Sequence, residues 1–479
     1  MNNAVFTSLL AAIAISCGLF LSCATVPEDA GFADLRDIVD DRISYRLHWN
    51  KGAQPDREVM SAIDRLLSEE LTVDGAVQIA LLNNADLQAV YEDLGVTQAD
   101  VVEAGLLENP TLFGQARFPE GGDGSTNLEF EIAQNFLDLL MLPARKRLAA
   151  IQFEQKKLQV ADAVIQKVAR VSRAYYGAVG AISARDDQRQ KAIVAENAFE
   201  LANRMAAAGN ISELELAEHQ AHYEMARVAL GAREEKVLER GENLVLLMGL
   251  WGRRTDLKLP RRLPAIPARE AALDGLEAVA VKNRLDLNAA RKEVAAMAES
   301  LEITIDWRWV GRVEVGISTE RETDRSWLTG PNLSIELPVF NQHQADIARM
   351  EARLRQSFQR LTARAVRIRS EVRTLRDRLV MKRHLVDHYE KTLLPLRRRI
   401  VALTLQNYNF MLMDAFKLLV AKQNEVDAHQ RYQMAVRDYW MIRADLQRAL
   451  GGAIPDPDQA GVHRSQAEMP VADQDSSSK

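Results

Sequence analysis

Only 2 of the 479 residues are cysteine, and both, Cys17 and Cys23, fall within the first 23 positions. No disulfide framework can staple the rest, so its fold must rest on packing. Proline (14) and glycine (24) are scarce, a balance that argues against a sandwich or an α/β enzyme and for long helices. A formal charge of only -6, with acids and bases interspersed, gives no electrostatic reason to invoke nucleic acid. Beyond the first 22 residues no run of 18 apolar residues occurs, which excludes a transmembrane helix there and leaves further membrane contact to β-strands or lipid.

Catalytic and metal signatures are missing as well. His384 and His388 stand four apart on a helical pattern and His219 and His222 three apart, spacings that put two imidazoles on one face. The zinc-protease arrangement needs Glu directly after the first histidine, and Leu385 is there instead. Solvent-facing histidines are the favoured reading. No phosphate-cradling loop and no nucleophile motif occurs, so the expectation is no enzyme, no cofactor, no catalytic residue and no metal site.

What the chain does have is repetition. Asp74, Gly75, Ala80, Asn83, Asp86, Leu87 and Ala89 recur 200 positions later as Asp274, Gly275, Ala280, Asn283, Asp286, Leu287 and Ala289. An unslipped register over such a shift marks an internal duplication, too long to be a solenoid repeat. Each copy opens on a helical stretch, from Thr72 to about Leu106 and from about Leu273 to Ile305; Asn109-Pro110 stops the first.

The period then changes to two. Leu128, Phe130 and Ile132 alternate with Glu129 and Glu131; Val313, Val315 and Ile317 alternate with Glu314, Gly316 and Ser318; Leu333, Ile335 and Leu337 alternate with Ser334 and Glu336. These are strands, with a rougher one from Thr111 to Phe118. Polar connections at Pro119–Thr126 and Glu320–Gly330 make one hairpin per copy. Four strands leave edges and an apolar face that one chain cannot cover, so other chains or lipid must complete them.

Each hairpin is followed by a very long helix with seven-residue spacing: Ile151, Leu158 and Ile165 in the first copy, Ile347, Leu354, Leu361, Ile368 and Leu375 in the second. Such heptads imply coiled-coil seams. The first helix has no proline between Pro143 and Pro260 and is expected to run about 65 residues, roughly 100 Å. Gly209-Asn210 and Asn407-Tyr408-Asn409 are the expected breaks, because Gly and Asn tolerate a left-handed helix end. Return helices from about Ser212 to Leu250 and Leu412 to Leu450 close the copies.

The opening residues carry no charged side chain up to Pro27 and are apolar from Ala4 to Ser22, as in an export signal. Phe20-Leu21-Ser22-Cys23-Ala24 resembles a bacterial lipobox, with Cys23 as the lipidated residue and Ala24 as in outer-membrane sorting. A plain signal peptide with an incidental cysteine is the other reading. The resulting organisation is a signal peptide (1–22), a lipidated N-terminal arm (23–70), a first repeat (71–252), a linker (253–270), a second repeat (271–452) and a disordered tail (453–479).

Short helix, hairpin, long helix, turn and return helix, doubled behind a lipobox-like leader, resemble the TolC-like outer-membrane efflux channel family. Asn283 to Leu287, Leu337-Pro338-Val339-Phe340-Asn341, Gly209 to Leu216 and the run Tyr408 to Gln423 carry the likeness, which spans about residues 71 to 452. The resemblance implies a mainly α fold with a small β part: coiled-coil helical hairpins in two tandem repeats, and two β-hairpins completing a twelve-stranded barrel in a homotrimer. It implies a passive exit channel for metal ions or small toxic compounds, in the bacterial outer membrane, lipid-anchored, with a periplasmic helical tube. Its implied partners are a periplasmic adaptor, an inner-membrane pump and outer-membrane lipid.

Apolar strand positions would then face lipid, and Glu129, Glu131, Glu314 and Glu336 a watery lumen. The turns at Gly209, Asn210, Asn407, Tyr408 and Asn409 would meet the adaptor. In the family pattern an acid follows the tip glycine by six residues. Glu215 fits, but in the second copy Met411 and Lys417 hold the matching positions, so Glu215 and Lys417 are the candidate gate residues. A coiled-coil structural lipoprotein without channel activity is the alternative, and it leaves the strands unexplained.

Overall fold

The computed structural model describes residues 25–52, 54–118, 125–270 and 273–454. The expected signal peptide, Cys23 and the tail beyond Ile454 lie outside these residues. Within the N-terminal arm are α1 (Phe32–Asp40) and α2 (Gln54–Ser68). The first copy follows as α3 (Val73–Asn83), α4 (Ala85–Glu103), β1 (Thr111–Arg117), β2 (Asn127–Asn135), α5 (Phe136–Ala207) and α6 (Glu213–Met248). The second repeats the order: α7 (Leu276–Asn283), α8 (Leu285–Asp306), β3 (Val313–Arg321), β4 (Trp327–Ile335), α9 (Gln344–His388), a π turn (Tyr389–Leu393), α10 (Leu394–Asn409) and α11 (Ala415–Ala449).

The chain divides into two compact units. Among the described residues the first draws on 25–34, Glu92–Leu158 and Asn288–Thr362 and contains the sheet. Its strands are antiparallel throughout in the order β1-β2-β3-β4. The central pairing is between copies: Leu128 to Asn135 of β2 run against Arg321 to Glu314 of β3. The duplication therefore welds its two hairpins into one ribbon with both outer edges open.

The second unit, which among the described residues comprises Leu35–Tyr91, Gln159–Leu287 and 363–454, is helical. Its core is built from the heptad positions: Ile165, Ile368, Val372, Leu375 and Leu379 are buried, together with Tyr91, Tyr439, Leu244 and Met248. α5 packs on α11 through the stacked rings of Tyr176 and Trp440 (5.4 Å) and through Arg173–Asp445 (3.3 Å). α11 packs on α9 through Lys382–Asp438 (2.9 Å) and the Arg448–Glu371 pair. On its other side α5 meets α6, where Phe199 stacks on Tyr223 (5.9 Å).

The linker is a strap over this helical layer. Ser183 on α5 donates to the Arg261 carbonyl, Trp440 on α11 to that of Pro264, and Arg383 on α9 to those of Pro267 and Ala268. Glu270 then accepts from Tyr439 and Arg443.

Two expectations about the helices are corrected. The opening stretches are not single helices, because each breaks after Asn83 or Asn283. Asn83 Nδ2 donates to the carbonyls of Met248 (3.2 Å) and Gly249 (2.7 Å), and Asn84 Nδ2 to Leu247 (3.0 Å). These contacts satisfy the exposed carbonyls at the end of the return helix. Asn83 and Asn84 thus clamp the helix that closes the first copy. In addition, the second long helix runs through Asn407-Tyr408-Asn409, where a break was expected.

Candidate functional site

Cross-strand register assigns the sheet faces, since directly paired residues share a side. One face brings together Leu112, Ile132, Ile317 and Pro331, and in the next rows Val315 with Leu333 and Val313 with Ile335. All but the half-buried Val313 are exposed: Leu112 is 75% exposed and Leu333 63%. A contiguous apolar face of this kind is a contact surface.

The opposite face carries the acids. Glu131 lies beside Ser318, Glu129 beside Glu320 and Glu314 beside Asn135. Glu336, one residue beyond β4, is held by its own N–H donating to the Arg312 carbonyl (2.9 Å), which sets it on the same side. All four predicted glutamates therefore share one face. Phe113 and Leu328 also lie there, so this face is mixed rather than wholly polar.

Several of the acids are engaged. Asn332 donates to Glu131 (2.5 Å), and Arg117 pairs with Glu129 (3.2 Å). Glu320, placed by the sequence reading in a connection, belongs to the same row and accepts from Asn127 (2.7 Å). The strand runs on to Arg321 because backbone pairing with β2 outweighs the local polarity.

The helix turns form the second candidate site. After α5, Gly209 sits at φ +75 with its N–H on the Ala206 carbonyl, and Asn210 donates to Met205 (2.8 Å), a Schellman closure. Ser212 then caps α6: its side chain accepts from the Glu215 N–H (3.2 Å), and Glu215 Oε2 accepts from the Ser212 N–H (2.9 Å). This reciprocal capping box supplies Glu215 with a local role. The backbone hydrogen bond from Ser212 holds the Glu215 carboxyl below its usual range.

At the second turn the same closure recurs around a different residue. Met411 at φ +58 donates to Tyr408 (2.8 Å), Leu412 donates to Asn407 (2.9 Å), and Asp414 caps α11 by accepting from the Lys417 N–H (2.7 Å). Asn407, Tyr408 and Asn409 are the last residues of α10, and the left-handed residue is Met411, 94% exposed between Phe410 and Leu412. The 202-position match of Gly209 with Met411 and of Ser212 with Asp414 was the signal that locates it. Lys417 pairs with Asp414 (3.8 Å); among the described residues no ion pair joins it to Glu215.

A methionine in the left-handed region costs about 1 kcal/mol that glycine avoids. Met411→Gly is therefore expected to raise the unfolding free energy by about 1 kcal/mol and Gly209→Met to lower it by a similar amount. Thermal unfolding of the two variants checks this, and equal shifts in one direction would contradict it.

Among the described residues no group of three or more His, Cys, Asp or Glu side chains is placed to hold a metal ion, and no helix is long and apolar enough to cross a membrane.

Fold and sites together define an architecture: duplicated helical hairpins with a four-stranded ribbon. Comparison agrees. Residues 76–250 match the family model described as outer membrane efflux protein. The CmeC outer membrane channel of Campylobacter jejuni is similar in fold, with TM-score 0.68 at 14% identity, over 88% of this chain and 94% of that one. A membrane protein from Pseudomonas aeruginosa gives 0.66 at 19% identity, over 79% and 92%. The MtrE outer membrane channel of Neisseria gonorrhoeae in its open state gives 0.62 at 16% identity, over 80% and 90%. No curated protein sequence matches the chain. In its first copy by sequence, and over most of its length by fold, the chain is similar to the TolC-like outer-membrane efflux channels, which are not enzymes.

Proposed function

We propose that this chain is one protomer of a passive exit channel in the bacterial outer membrane, acting as a homotrimer with a periplasmic adaptor and an inner-membrane pump to export metal ions or small toxic compounds. The observation that carries the reading is the ribbon of four strands with open edges, one exposed apolar face and one acidic face. Three copies would close it into a twelve-stranded barrel, leaving no edge unpaired and turning the apolar face to lipid. A lipid on Cys23 would add a second anchor.

Glu129, Glu131, Glu314 and Glu336 would then line the bore. The helices of three copies would wall a periplasmic conduit whose tips, at Gly209, Asn210, Asn407, Tyr408 and Asn409, receive the adaptor. Glu215 and Lys417 remain the gate candidates, and each must exchange its present local partner to pair across the tip. The reading as a structural coiled-coil lipoprotein gives the sheet no task.

The test is planar-bilayer recording of protein purified from outer-membrane fractions, beside a gel that keeps a heat-sensitive oligomer intact. Discrete conductance steps with a cation preference are expected. Changing Glu129, Glu131, Glu314 and Glu336 together to Gln should shift the reversal potential in a salt gradient towards zero without closing the pore. A soluble monomer without conductance would overturn the channel.

A further inference from the structure

A cavity of about 720 Å³ lies inside the helical unit, bounded by the N-terminal arm, α3, α5 and the end of α11. Its volume falls in the range of ligand pockets. Ile43, Leu66, Ile165 and Val168 make part of its lining apolar, and Arg42 and Arg448 bring two cations to the rest. The channel reading gives this space no task.

Arg42 stands out among the lining residues. Its Nη1 donates to the Ile38 carbonyl (2.5 Å), but its Nε is buried without a hydrogen-bond partner, and among the described residues no carboxylate pairs with the guanidinium. The other charges of the lining are engaged: Arg448 pairs with Glu371, and Asp74 accepts from the Tyr45 hydroxyl (2.7 Å). Burial pulls the Arg42 guanidinium below its usual range, and only the neighbouring Asp41 opposes the shift. A half-buried cation without a counter-ion is costly, so the site calls for an anion.

The chain itself leaves the helical layer at this spot. α11 is closed by Gly451 and Gly452, whose N–H groups donate to the carbonyls of Arg448 and Gln447 (3.0 Å each). Gly452, at φ +143, then presses on Arg42: a Cβ there would lie 2.7 Å from the Arg42 Cβ and 2.9 Å from its carbonyl oxygen. Ala453 still lines the cavity. Residues 455–479 continue beyond the described chain; they begin Pro455-Asp456-Pro457-Asp458, and no basic residue precedes Arg464.

We propose that residues 455–458 fold back into this cavity with the Asp456 carboxylate as the counter-ion of Arg42, so that the C-terminal segment locks the N-terminal arm to the return helix of the second copy. The three steps from Ala453 to Asp456 span at most about 10 Å, enough to pass along the arginine side chain from its Cβ to its guanidinium. Ile454 and Asp456 each precede a proline and are held extended. Both prolines suit the apolar lining, because neither brings an N–H that would need an acceptor there. The tether keeps the carboxylate at an effective concentration on the order of mM, an advantage over any dilute free anion. The arm gains a second fastening. On the α3 side the Gln78 amide already accepts from the Arg46 N–H (3.1 Å) and donates to the Arg46 carbonyl (2.9 Å), whereas towards α11 the described contact is the approach of Gly452.

The proposal concerns a single chain and does not rest on the channel reading. Ser44, exposed on the cavity lining, and Pro457 are changed to Cys together in the full chain, whose own cysteines stand at 17 and 23, and the protein is oxidised mildly. An intramolecular disulfide is expected, seen as a shifted monomer band on an unreduced gel. Ser44→Cys with Ser477→Cys, near the far end of the tail, is the control and should link several-fold less. No link in the first pair overturns the docking, and a link between copies alone makes a second copy's tail the occupant and overturns it too. As a second arm, hydrogen exchange is followed at the Arg42 and Ile43 amides, which both donate to the Val39 carbonyl (2.9 Å). Asp456→Lys, which leaves every described contact in place, should speed this exchange about tenfold, and Arg42→Glu in the same chain should restore protection. Exchange indifferent to Asp456→Lys overturns the ion pair. If added acetate protects the native and Asp456→Lys chains equally, a free anion is the occupant and the tail is not.

Discussion

Replacing Gly249 with alanine is expected to destabilise the helical unit by roughly 2–4 kcal/mol, among the largest effects of any single methyl group in the chain. Gly249 caps α6 at φ +70, in the left-handed region. A Cβ there would lie 2.9 Å from both the Asn83 carbonyl oxygen and the Asn84 Cα. Both are backbone atoms pinned by the asparagine clamp, so neither can swing aside, and relief means pulling the return helix off the break between α3 and α4. The second copy repeats the geometry: Gly451 has φ +87, and its Cβ would lie 2.9 Å from the Asn283 carbonyl oxygen. Gly451→Ala should cost a similar amount. Gly231, inside α6 with nothing within 4 Å of a Cβ, is the control, and Gly231→Ala should stabilise by about 1 kcal/mol. Denaturant unfolding of the three variants decides the matter. If Gly249→Ala behaved like Gly231→Ala, the close approach would be wrong.

This clamp shows where the sequence is legible and where it is not. The register shared by Asn83 and Asn283 is plain in the chain, and so is the glycine closing each return helix. That they meet is invisible, since the partners are 166 residues apart in the first copy and nothing local hints at the break after Asn83. Alternation located β2, β3 and the later half of β4, because a face exposed to a different medium imposes a period of two, whereas β1 showed only as a rougher strand. It failed at both ends of the second connection: Glu320 and Arg321 are held in β3 by pairing with Glu129 and Leu128, and Trp327 to Gly330, read locally as a loop, pair with Arg321 to Ser318 as the start of β4. At the tips the first turn was read correctly from Gly209. In the second, Asn407 to Asn409 look like a helix end, yet the Schellman closure falls on Met411, a residue without preference for that conformation. The capping acids, Glu215 and Asp414, differ in how each reaches back, which only three-dimensional geometry reveals.

The copies also differ in how they fill the space beside the clamp, and that difference sets the second large expectation. Asn84 of the first copy accepts from the buried Lys167 Nζ (2.7 Å). In the second copy Arg284 takes the place of Asn84 and binds two carboxylates, Asp286 (2.9 Å) and Glu371 (2.6 Å), while Arg448 holds Glu371 from the other side. Its side chain is only 12% exposed. Arg284→Met should therefore cost about 3 kcal/mol at neutral pH, because it strands the Asp286 charge in a partly buried site. Arg284→Lys should recover less than half of that, since an ammonium cannot fork to both acids.

The pH dependence carries the sign. Burial would raise the Asp286 and Glu371 carboxyls, but the hydrogen bonds and charges of Arg284 and Arg448 prevail and leave both below their usual values. Groups depressed in the folded state contribute stability that is fully present above their unfolded values, about 3.9 for Asp and 4.3 for Glu, and lost as pH falls through the folded ones. Asp162 and Asp445 act oppositely: burial raises both, so falling pH first relieves them. The native chain should hold its stability down to about pH 4 and lose it below. In Arg284→Met the Asp286 carboxyl loses the partner that lowers it most, while Arg448 still holds Glu371 down, so the acid limb should flatten in part as the neutral plateau drops. An equal drop at every pH would mean that packing, not the ion network, is what Arg284 provides.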